Sequence, residues 1–238
     1  MLQIRRFFIG ALAGILCLGA AGCSSNLKGY SEVKKAQEGI GALQSGRIIL
    51  TTSYENGKKS GRMTTEFLFR LNEDDSISYC QTQFDGDNKS IYCEYGNGAQ
   101  VEKWLIGKGW SDPEAQLCNR ENPHRYLRLL STPVEKASIT EMASEPDGEN
   151  TRYTMALNPE WLNANTYTDG TAEAVSETLA VTIDSQGQLT AWHDEAVMLD
   201  IATQTECRYR LDMEITDPNT VGEIVKPELR NNFQLASE

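Results

Sequence analysis

The residues with the greatest capacity for chemistry are the cysteines and histidines, and their spacing matches no common catalytic or metal site. The chain has six cysteines but only two histidines, His124 and His193. Zinc sites usually place two cysteines a few residues apart, as in C-x-x-C, and no such pair occurs in the sequence. The H-E-x-x-H, G-x-S-x-G and P-loop patterns are also missing from it. We therefore expect no metal, no cofactor and no enzymatic activity.

Two acidic runs look like ligand clusters, but each has a simpler structural interpretation. In the run from His193 to Glu195, consecutive strand residues point to opposite faces, so at most its two end residues could converge. A solvated strand face is favoured there. The run 85–88 resembles the opening of a calcium loop, yet Lys89 follows it and the downstream glutamate ligand is missing. We predict a hairpin turn at this second run.

The N-terminus has the layout of a lipoprotein signal peptide. Arg5 and Arg6 precede an apolar stretch over 7–21. This stretch is shorter than the roughly 20 residues that a membrane-spanning helix needs. The residues Ala20-Ala21-Gly22-Cys23 resemble a bacterial lipobox, in which the Cys23 thiol accepts a diacylglyceryl group. The alternative is an ordinary secretory signal that happens to contain a cysteine.

These features divide the chain into four parts. A lipoprotein signal peptide covers 1–22, and a lipidated tether covers 23–30. A single β-rich domain covers 31–230, and a tail covers 231–238. The two or three acyl chains of a lipoprotein hold a domain at a membrane without a protein span. The predicted location is therefore the cell membrane, with the domain anchored by lipid and facing the extracytoplasmic side.

The charge of the chain excludes one large class of partner. The sequence has 34 acidic and 22 basic side chains, which gives a formal charge of -12. Loss of the signal peptide removes Arg5 and Arg6, and the formal charge becomes -14 because 20 basic residues then face 34 acidic ones. Such a surface repels phosphate backbones, and no basic patch offsets this charge locally. We expect no nucleic-acid partner.

Four cysteines remain in the predicted domain: Cys80, Cys93, Cys118 and Cys207. Four cysteines allow three pairings. A hairpin turn centred between residues 86 and 87 would place Cys80 directly opposite Cys93, within reach of a cross-strand disulfide. The remaining pair, Cys118 with Cys207, would then close a long loop. The alternative is four reduced cysteines buried as small apolar side chains.

One helix and a long series of strands form the predicted domain. Apolar residues recur at helical spacing between Ser31, the predicted N-cap, and Gly46, the predicted stop. Apolar and polar residues alternate after that point, as they do in an antiparallel sheet with one solvated face. The predicted strands lie over 48–54, 63–71, 77–84, 90–96, 100–106, 138–145, 151–157, 176–183, 189–200 and 207–215.

Two short helices interrupt the strands. Asn122-Pro123 and Asn158-Pro159 each combine an N-cap residue with a proline at the first helical position. The fold class expected from these elements is α+β and mainly antiparallel β. In this architecture, a curved half-barrel sheet carries an N-terminal helix and short helical inserts.

The order of the elements resembles the LolA-like superfamily, which includes the LppX-type lipoproteins. The resemblance rests on the acylated cysteine, the short helix, the interrupted antiparallel strands and the ending over 215–227. It covers most residues from 31 to 227. It implies an incomplete barrel, closed by helices, that encloses a cavity for acyl chains. The chain departs from a diffusing carrier in having its own lipid anchor and four further cysteines, which favours a stationary lipid handler or sensor.

Two functions follow from this interpretation. In the first, a lipid or acyl chain occupies the half-barrel cavity. In the second, these side chains fill a solid core, and the domain is a non-enzymatic interaction module that presents an acidic face to a cationic partner, an envelope protein or a cell-wall component. The residues predicted to line the cavity in the first case are Leu50, Phe67, Phe69, Trp104, Met155, Trp192, Tyr209 and Met213.

Overall fold

The computed structural model describes residues 27–57 and 59–229. The predicted signal peptide, the lipidation site at Cys23 and the predicted tail lie outside these residues. The helices are α1 (Tyr30–Ile40), α2 (Arg125–Ser131) and α3 (Pro159–Asn165), with a 3-10 turn at Lys136–Ser138. The strands are β1 (Ser45–Asn56), β2 (Lys59–Leu71), β3 (Ile77–Phe84), β4 (Ser90–Asn97), β5 (Gln100–Leu105), β6 (Gly109–Trp110), β7 (Glu114–Ala115), β8 (Ile139–Asp147), β9 (Asn150–Leu157), β10 (Ala172–Ile183), β11 (Leu189–Asp200) and β12 (Thr205–Thr216).

All twelve strands belong to one antiparallel sheet. The order across it is β6-β5-β4-β3-β2-β1-β12-β11-β10-β9-β8, and β7 pairs with β5 outside this path. The sheet is curved and unclosed, because β6 and β8 lie at opposite ends of this order. This architecture confirms the predicted fold class.

The first and last strands lie together at the centre of the sheet. Leu50 of β1 pairs with Met213 of β12, and Ile48 pairs with Ile215. On its other side, β1 pairs with β2 along its whole length. Alternate residues on these strands point to the concave face, and they are buried there with the helices packed over them. The central hairpins therefore build the floor of the concave face.

Helix α1 is shorter than the periodicity predicts. It begins at Tyr30 after Gly29, whose φ of 94° is left-handed, and it ends at Gly41. Gly46, the predicted stop, lies in β1 instead. A Cβ atom at Gly46 would lie 2.9 Å from Cε1 of Phe69, so a glycine is needed there for the ring to pack. Leu27 and Tyr30, which the predicted boundary assigns to the tether, pack against the core.

The two predicted inserts are helices, but only one begins as expected. In α3, Asn158 accepts hydrogen bonds from the N–H groups of Glu160 and Trp161, as an N-cap residue does. In α2, the N-cap residue is His124 and not Asn122, because His124 Nδ1 accepts the N–H of Tyr126. The cap therefore differs from the prediction.

A second, smaller cluster lies on the convex face. Its buried residues are Cys80, Cys93, Trp104 and Ile224. Ile224 belongs to the segment 217–229, which follows β12 and packs on the outside of β3–β6. Lys226 in this segment forms an ion pair with Glu102, and its ammonium lies 4.5 Å from the Trp110 ring centroid. The C-terminal segment thus covers apolar side chains that would otherwise face solvent.

Candidate ligand-binding face

Seven of the eight residues predicted to line a cavity lie on the concave face. Six of them are buried within one cluster: Leu50, Phe67, Phe69, Met155, Trp192 and Met213. Tyr209 is half-buried against the same cluster. Trp104 is the exception, since it packs with Cys80 and Cys93 on the convex face. Trp104 therefore cannot line the concavity, and the prediction for it was wrong because the pairing of β5 with β4 turns its side chain outward.

A strip of the concave face is only partly covered. Tyr54 pairs with Tyr209 across β1 and β12, and Thr52, two residues before Tyr54, pairs with Leu211 on one side and Met63 on the other. Tyr54, Met63, Tyr209 and Leu211 are all half-buried, whereas the neighbouring Leu50 and Met213 are buried. We call these four residues the open strip. It is continuous with the core and presents large apolar surfaces.

Two carboxylates lie on the concave face beside the open strip. Asp194 of β11 pairs with Leu211 of β12, and it follows the inward-facing Trp192 by two residues. Glu177 of β10 is 9% exposed and accepts a 2.7 Å hydrogen bond from the Tyr167 hydroxyl. The Oδ1 atom of Asp194 is shielded from solvent and has no hydrogen-bond partner. We call Tyr167, Glu177 and Asp194 the carboxylate site.

Burial changes the ionisation of both carboxylates. Burial raises the pKa of Asp194 well above its usual range, and the charge of Glu177 raises it further. Burial also raises the pKa of Glu177, and the hydrogen bond from Tyr167 partly offsets that rise. Two carboxylates in one desolvated site cannot both ionise without a large cost. The site therefore favours one bound proton or one bound cation.

An aromatic cluster fills the concave face at β2 and β3. The His124 ring stacks on Phe67 with centroids 4.3 Å apart, and Tyr126 meets Phe67 edge-on at 5.5 Å. Tyr79 lies 4.8 Å from the His124 ring. Burial lowers the pKa of His124 to about 3, with smaller contributions from the charges of Arg125 and Arg128. The imidazole is therefore neutral and belongs to the packing of α2.

Three other shielded polar atoms of this region have no partner among the described residues. They are Thr65 Oγ1, Gln81 Nε2 and Arg125 Nε. Arg125 also donates from Nη2 to Gln81 Oε1 at 3.1 Å, and its guanidinium lies 5.0 Å from the Tyr126 ring centroid. Arg125 and Gln81 lie where α2 meets the sheet, and Gln81 is fully buried. These groups are therefore covered by α2, unlike the carboxylate site beside the open strip.

Cys80 and Cys93 are close, but they are not opposite each other. Cys80 pairs with Tyr95, and Cys93 pairs with Thr82, so the predicted register is wrong. The turn after β3 holds Asn88 in a left-handed conformation, and an irregularity between Gln83 and Phe84 shifts the pairing. The two Sγ atoms lie 3.8 Å apart, and both thiols are free in this structure.

The pairing of Cys118 with Cys207 is incompatible with the sheet. The carbonyl of Cys118 accepts from the N–H of Ile77, at the end of the sheet where Thr216 terminates β12. Cys207 lies nine residues before Thr216, or about 30 Å along the strand at the usual rise. Both thiols are buried and free. The predicted second disulfide is therefore wrong.

His193 belongs to the convex face of β11 and β12. Its Nδ1 lies 2.5 Å from Asp212 Oδ1, and its Nε2 lies 3.9 Å from Glu195. Glu195 also binds Arg210 at 2.9 Å. These contacts form a surface ion network, as the interpretation of this run predicted. Within the ranges that the structure describes, no group of three histidine, cysteine or acidic side chains could hold a metal ion.

Sequence reasoning missed the carboxylate site. Asp194 was treated as part of a solvated run, because a charged residue between two other polar residues gives no sign of burial. The strand period did contain the relevant signal: Trp192, Asp194, Ala196 and Met198 share one face. An aspartate within an otherwise apolar row is a pattern that could have identified the site.

Neither family models nor curated proteins match this sequence. Several solved structures resemble its fold. Lipoprotein LppX of Mycobacterium tuberculosis is 12% identical, with a TM-score of 0.47 over 82% of this chain and 97% of that protein. LprF from Mycobacterium bovis is 5% identical, with a TM-score of 0.47 over 84% of this chain and 96% of the other. A LolA superfamily protein from Nitrosomonas europaea is 10% identical, with a TM-score of 0.29 over 79% and 93%.

These neighbours include LppX, LprF and a LolA superfamily protein, and this chain is similar to them in the order of its strands and helices. The resemblance concerns the fold alone, because identities and scores of this size carry no residue roles. Over residues 27–57 and 59–229, no helix is both long and apolar enough to cross a membrane.

Proposed function

We propose that this chain is an exported, lipid-anchored and non-enzymatic protein that binds a lipid or acyl chain on the concave face of its sheet. The open strip is the observation that carries the proposal. These tyrosine, methionine and leucine side chains are half-buried, and covering the apolar surface that they still present to water would be favourable. An acyl chain laid across Tyr54, Met63 and Leu211 would remove this apolar surface from water.

The residues first predicted to line a cavity have a supporting role in this proposal. Six of them pack beneath the guest and hold the strands in place, and Tyr209 belongs to the contact surface itself. Binding does not require the buried cluster to open, because the guest lies on the exposed part of the same face. The ligand site is therefore a groove beside the core.

Anchoring is proposed from the N-terminal sequence. Lipidation at Cys23 would hold the domain at the extracytoplasmic side of the membrane, within reach of lipids. Expression in bacteria supplied with an alkyne-tagged fatty acid tests this step. We expect the full chain to carry the tag and the Cys23→Ala variant to lose it. A tag retained by the variant would contradict lipidation at this residue.

The chain from 24 to 238 contains every described element and both clusters, and it is suited to a binding test. Native mass spectrometry of this chain purified from cells should show an additional mass of a lipid. The apolar dye N-phenyl-1-naphthylamine should increase its fluorescence on binding to the ligand-free chain. A ligand-free mass together with no dye binding would overturn the proposal.

A matched pair of variants locates the site. Met63 and Thr64 are adjacent and half-buried, and they point to opposite faces of β2. Met63→Asp places a charge where the guest would lie, and we expect dye affinity to fall about tenfold or more, since an unpaired charge is costly in apolar contact. Thr64→Asp adds the same charge on the convex face and should leave the affinity within about twofold.

One observation favours a second candidate function. The edge strand β8 is exposed over most of its length and presents Glu141, Glu145 and Asp147. Charged residues and Pro146 protect such an edge against pairing with other strands. An acidic edge could also bind a basic protein partner, as in the interaction module with a filled core. This function becomes the better explanation if the binding test gives no lipid and no dye signal.

A further inference from the structure

The carboxylate site and the open strip form one continuous surface. In one row across the sheet, Met63, Thr52, Leu211 and Asp194 lie side by side on four neighbouring strands. In the next row, Tyr54 and Tyr209 are followed by Ala196 and then Glu177. Each row therefore begins on apolar surface and reaches a carboxylate. From Met63 to Asp194 the distance is three strand spacings, or about 14 Å.

The carboxylate site lacks a partner that its chemistry requires. Asp194 Oδ1 is shielded and makes no hydrogen bond, and among the described residues neither Asp194 nor Glu177 forms an ion pair. The Tyr167 hydroxyl supplies Glu177 with one donor. A buried acceptor without a donor is destabilising, and a buried charge without a partner is more so. A residue kept in this state is well suited to bind a donor from outside the chain.

We propose that Asp194 and Glu177 bind the polar head of the guest, and that this head is a hydrogen-bond donor, with an ammonium group preferred over a hydroxyl. The inference rests on the proposed function, because the guest's apolar chain must occupy the open strip. An ammonium group would satisfy Asp194 Oδ1 and neutralise the repulsion between the two carboxylates. Charge-assisted hydrogen bonds of this kind are the stronger ones.

The same geometry disfavours guests with acidic heads. A carboxylate or phosphate placed beside Leu211 would face two acidic side chains in a desolvated site. The cationic side chain of Arg125, at the start of α2, instead donates to Gln81 where α2 meets the sheet. Selectivity for the head group should therefore follow the sign of its charge, whereas the length of the apolar chain should set the overall affinity.

Competition against N-phenyl-1-naphthylamine measures this selectivity. Three competitors with the same twelve-carbon chain are added below their micelle concentrations at neutral pH: dodecylamine, dodecanol and dodecanoate. For the chain from 24 to 238, we expect dodecylamine to bind about tenfold or more tightly than dodecanoate, with dodecanol between them. Dodecanoate binding as tightly as dodecylamine would overturn the inference.

Variants assign the selectivity to the site. Asp194→Asn and Glu177→Gln keep the side-chain shapes and should each reduce the ratio between amine and carboxylate affinities by about fivefold or more. Glu173→Gln removes the same charge from an exposed position of β10 and should leave the ratio within about twofold. An equal loss of the ratio in all three variants would mean that overall charge, and not this site, selects the guest.

The outcomes separate this inference from the proposed function. If all three competitors displace the dye equally, the groove binds apolar chains and the inference about the head group is wrong. If none displaces the dye, the proposed lipid binding and the inference about the head group are both wrong. Circular dichroism of each variant checks folding, and the ranking of the three competitors on the unmodified chain decides the question even if a variant fails to fold.

Discussion

The two halves of the concave face bury different kinds of side chains. At β1–β3 with α2, which we call the aromatic half, rings from Phe67, Tyr79, His124 and Tyr126 pack against one another. At β10–β12 with α3, which we call the acidic half, Asp194 and Glu177 occupy inward positions. Both halves keep shielded polar atoms without a partner, but in the aromatic half these lie beside packed rings, whereas in the acidic half the unpartnered atom is a carboxylate oxygen of Asp194.

This difference indicates where stability and function reside. Buried rings contribute packing energy whether or not a ligand is present, so the aromatic half should hold the fold together. Buried carboxylates cost stability and persist where they serve another purpose. The open strip spans the boundary between the halves, with Tyr54 and Met63 on β1 and β2 and with Tyr209 and Leu211 on β12. Leu211 pairs with Asp194, which places the buried carboxylates next to the surface that a guest would cover.

The largest expected effect is the loss of stability on removing a buried ring from the aromatic half. Phe67→Ala removes a ring that is 0% exposed and contacts four other rings, so we expect a loss of about 3–5 kcal/mol in the free energy of unfolding. Leu211→Ala, on the half-buried open strip, should cost about 1 kcal/mol or less. Urea denaturation of both variants measures the difference. Similar losses in the two variants would mean that the two halves are packed alike.

The second prediction concerns the convex side of the aromatic half. Cys80 and Cys93 should form a disulfide when an oxidising thiol–disulfide partner accepts two electrons and two protons from them. The resulting short loop should add up to about 3 kcal/mol, reduced by any strain from closing the 3.8 Å gap between the sulfurs. Thiol titration before and after oxidation, followed by urea denaturation, gives the answer. The unfolded chain from 24 to 238 should show four reactive thiols before oxidation and two afterwards, those of Cys118 and Cys207, whereas four reactive thiols after oxidation would contradict the prediction.

The third prediction tests how much the buried Asp194 carboxyl of the acidic half lowers the free energy of unfolding. Because burial raises the pKa of Asp194, the folded chain holds a proton that the unfolded chain releases above the ordinary aspartate pKa of 3.8. Stability is therefore lost as the pH rises from that value toward the raised pKa, by up to about 1.4 kcal/mol per pH unit. Asp194→Asn should therefore gain stability relative to the unmodified chain as the pH rises from 4 to 7, because asparagine has no proton to lose. A difference in stability that is independent of pH would show that Asp194 ionises freely.

The sequence predicted where the strands lie, but not their register or the facing of every side chain. Alternation over 207–215 and 63–71 located two strands and their inward faces, because one face of each contacts the core. The register of Cys80 and Cys93 was wrong, since an irregularity near Phe84 has no signature in residue type. The predicted inward position of Trp104 was wrong because β5 carries large side chains on both faces, so residue type alone does not show that pairing with β4 turns Trp104 outward.

The candidate site was harder to predict than the fold. Tyr209 was identified from alternation, but its partial exposure depends on which helices cover the sheet, and residue patterns do not fix helix positions. Inward-facing rows are located by their alternating apolar residues. A charged residue such as Asp194 breaks that alternation, so the pattern does not predict its inward position. Such exceptions are expected where function opposes stability.

The smallest expected effect concerns the neutral histidine of the aromatic half. Because burial lowers the pKa of His124 to about 3, the unfolded chain binds a proton below the ordinary histidine pKa of 6.5 while the folded chain does not. Stability is therefore lost as the pH falls from 6.5 toward 3, and the loss from this residue at pH 6 should be about 1 kcal/mol.

His124→Asn isolates this contribution, because asparagine can still cap α2 but does not titrate in this range. The variant will be less stable than the unmodified chain at pH 7.5, where the ring packing is lost. The gap between the two should narrow by about 1 kcal/mol on going to pH 6, as measured by urea denaturation at each pH. The aromatic half thus loses stability toward acid and the acidic half toward base. If the gap stayed constant, His124 would have to be accessible to protons in the folded chain, and the aromatic half would be as open as its neighbour.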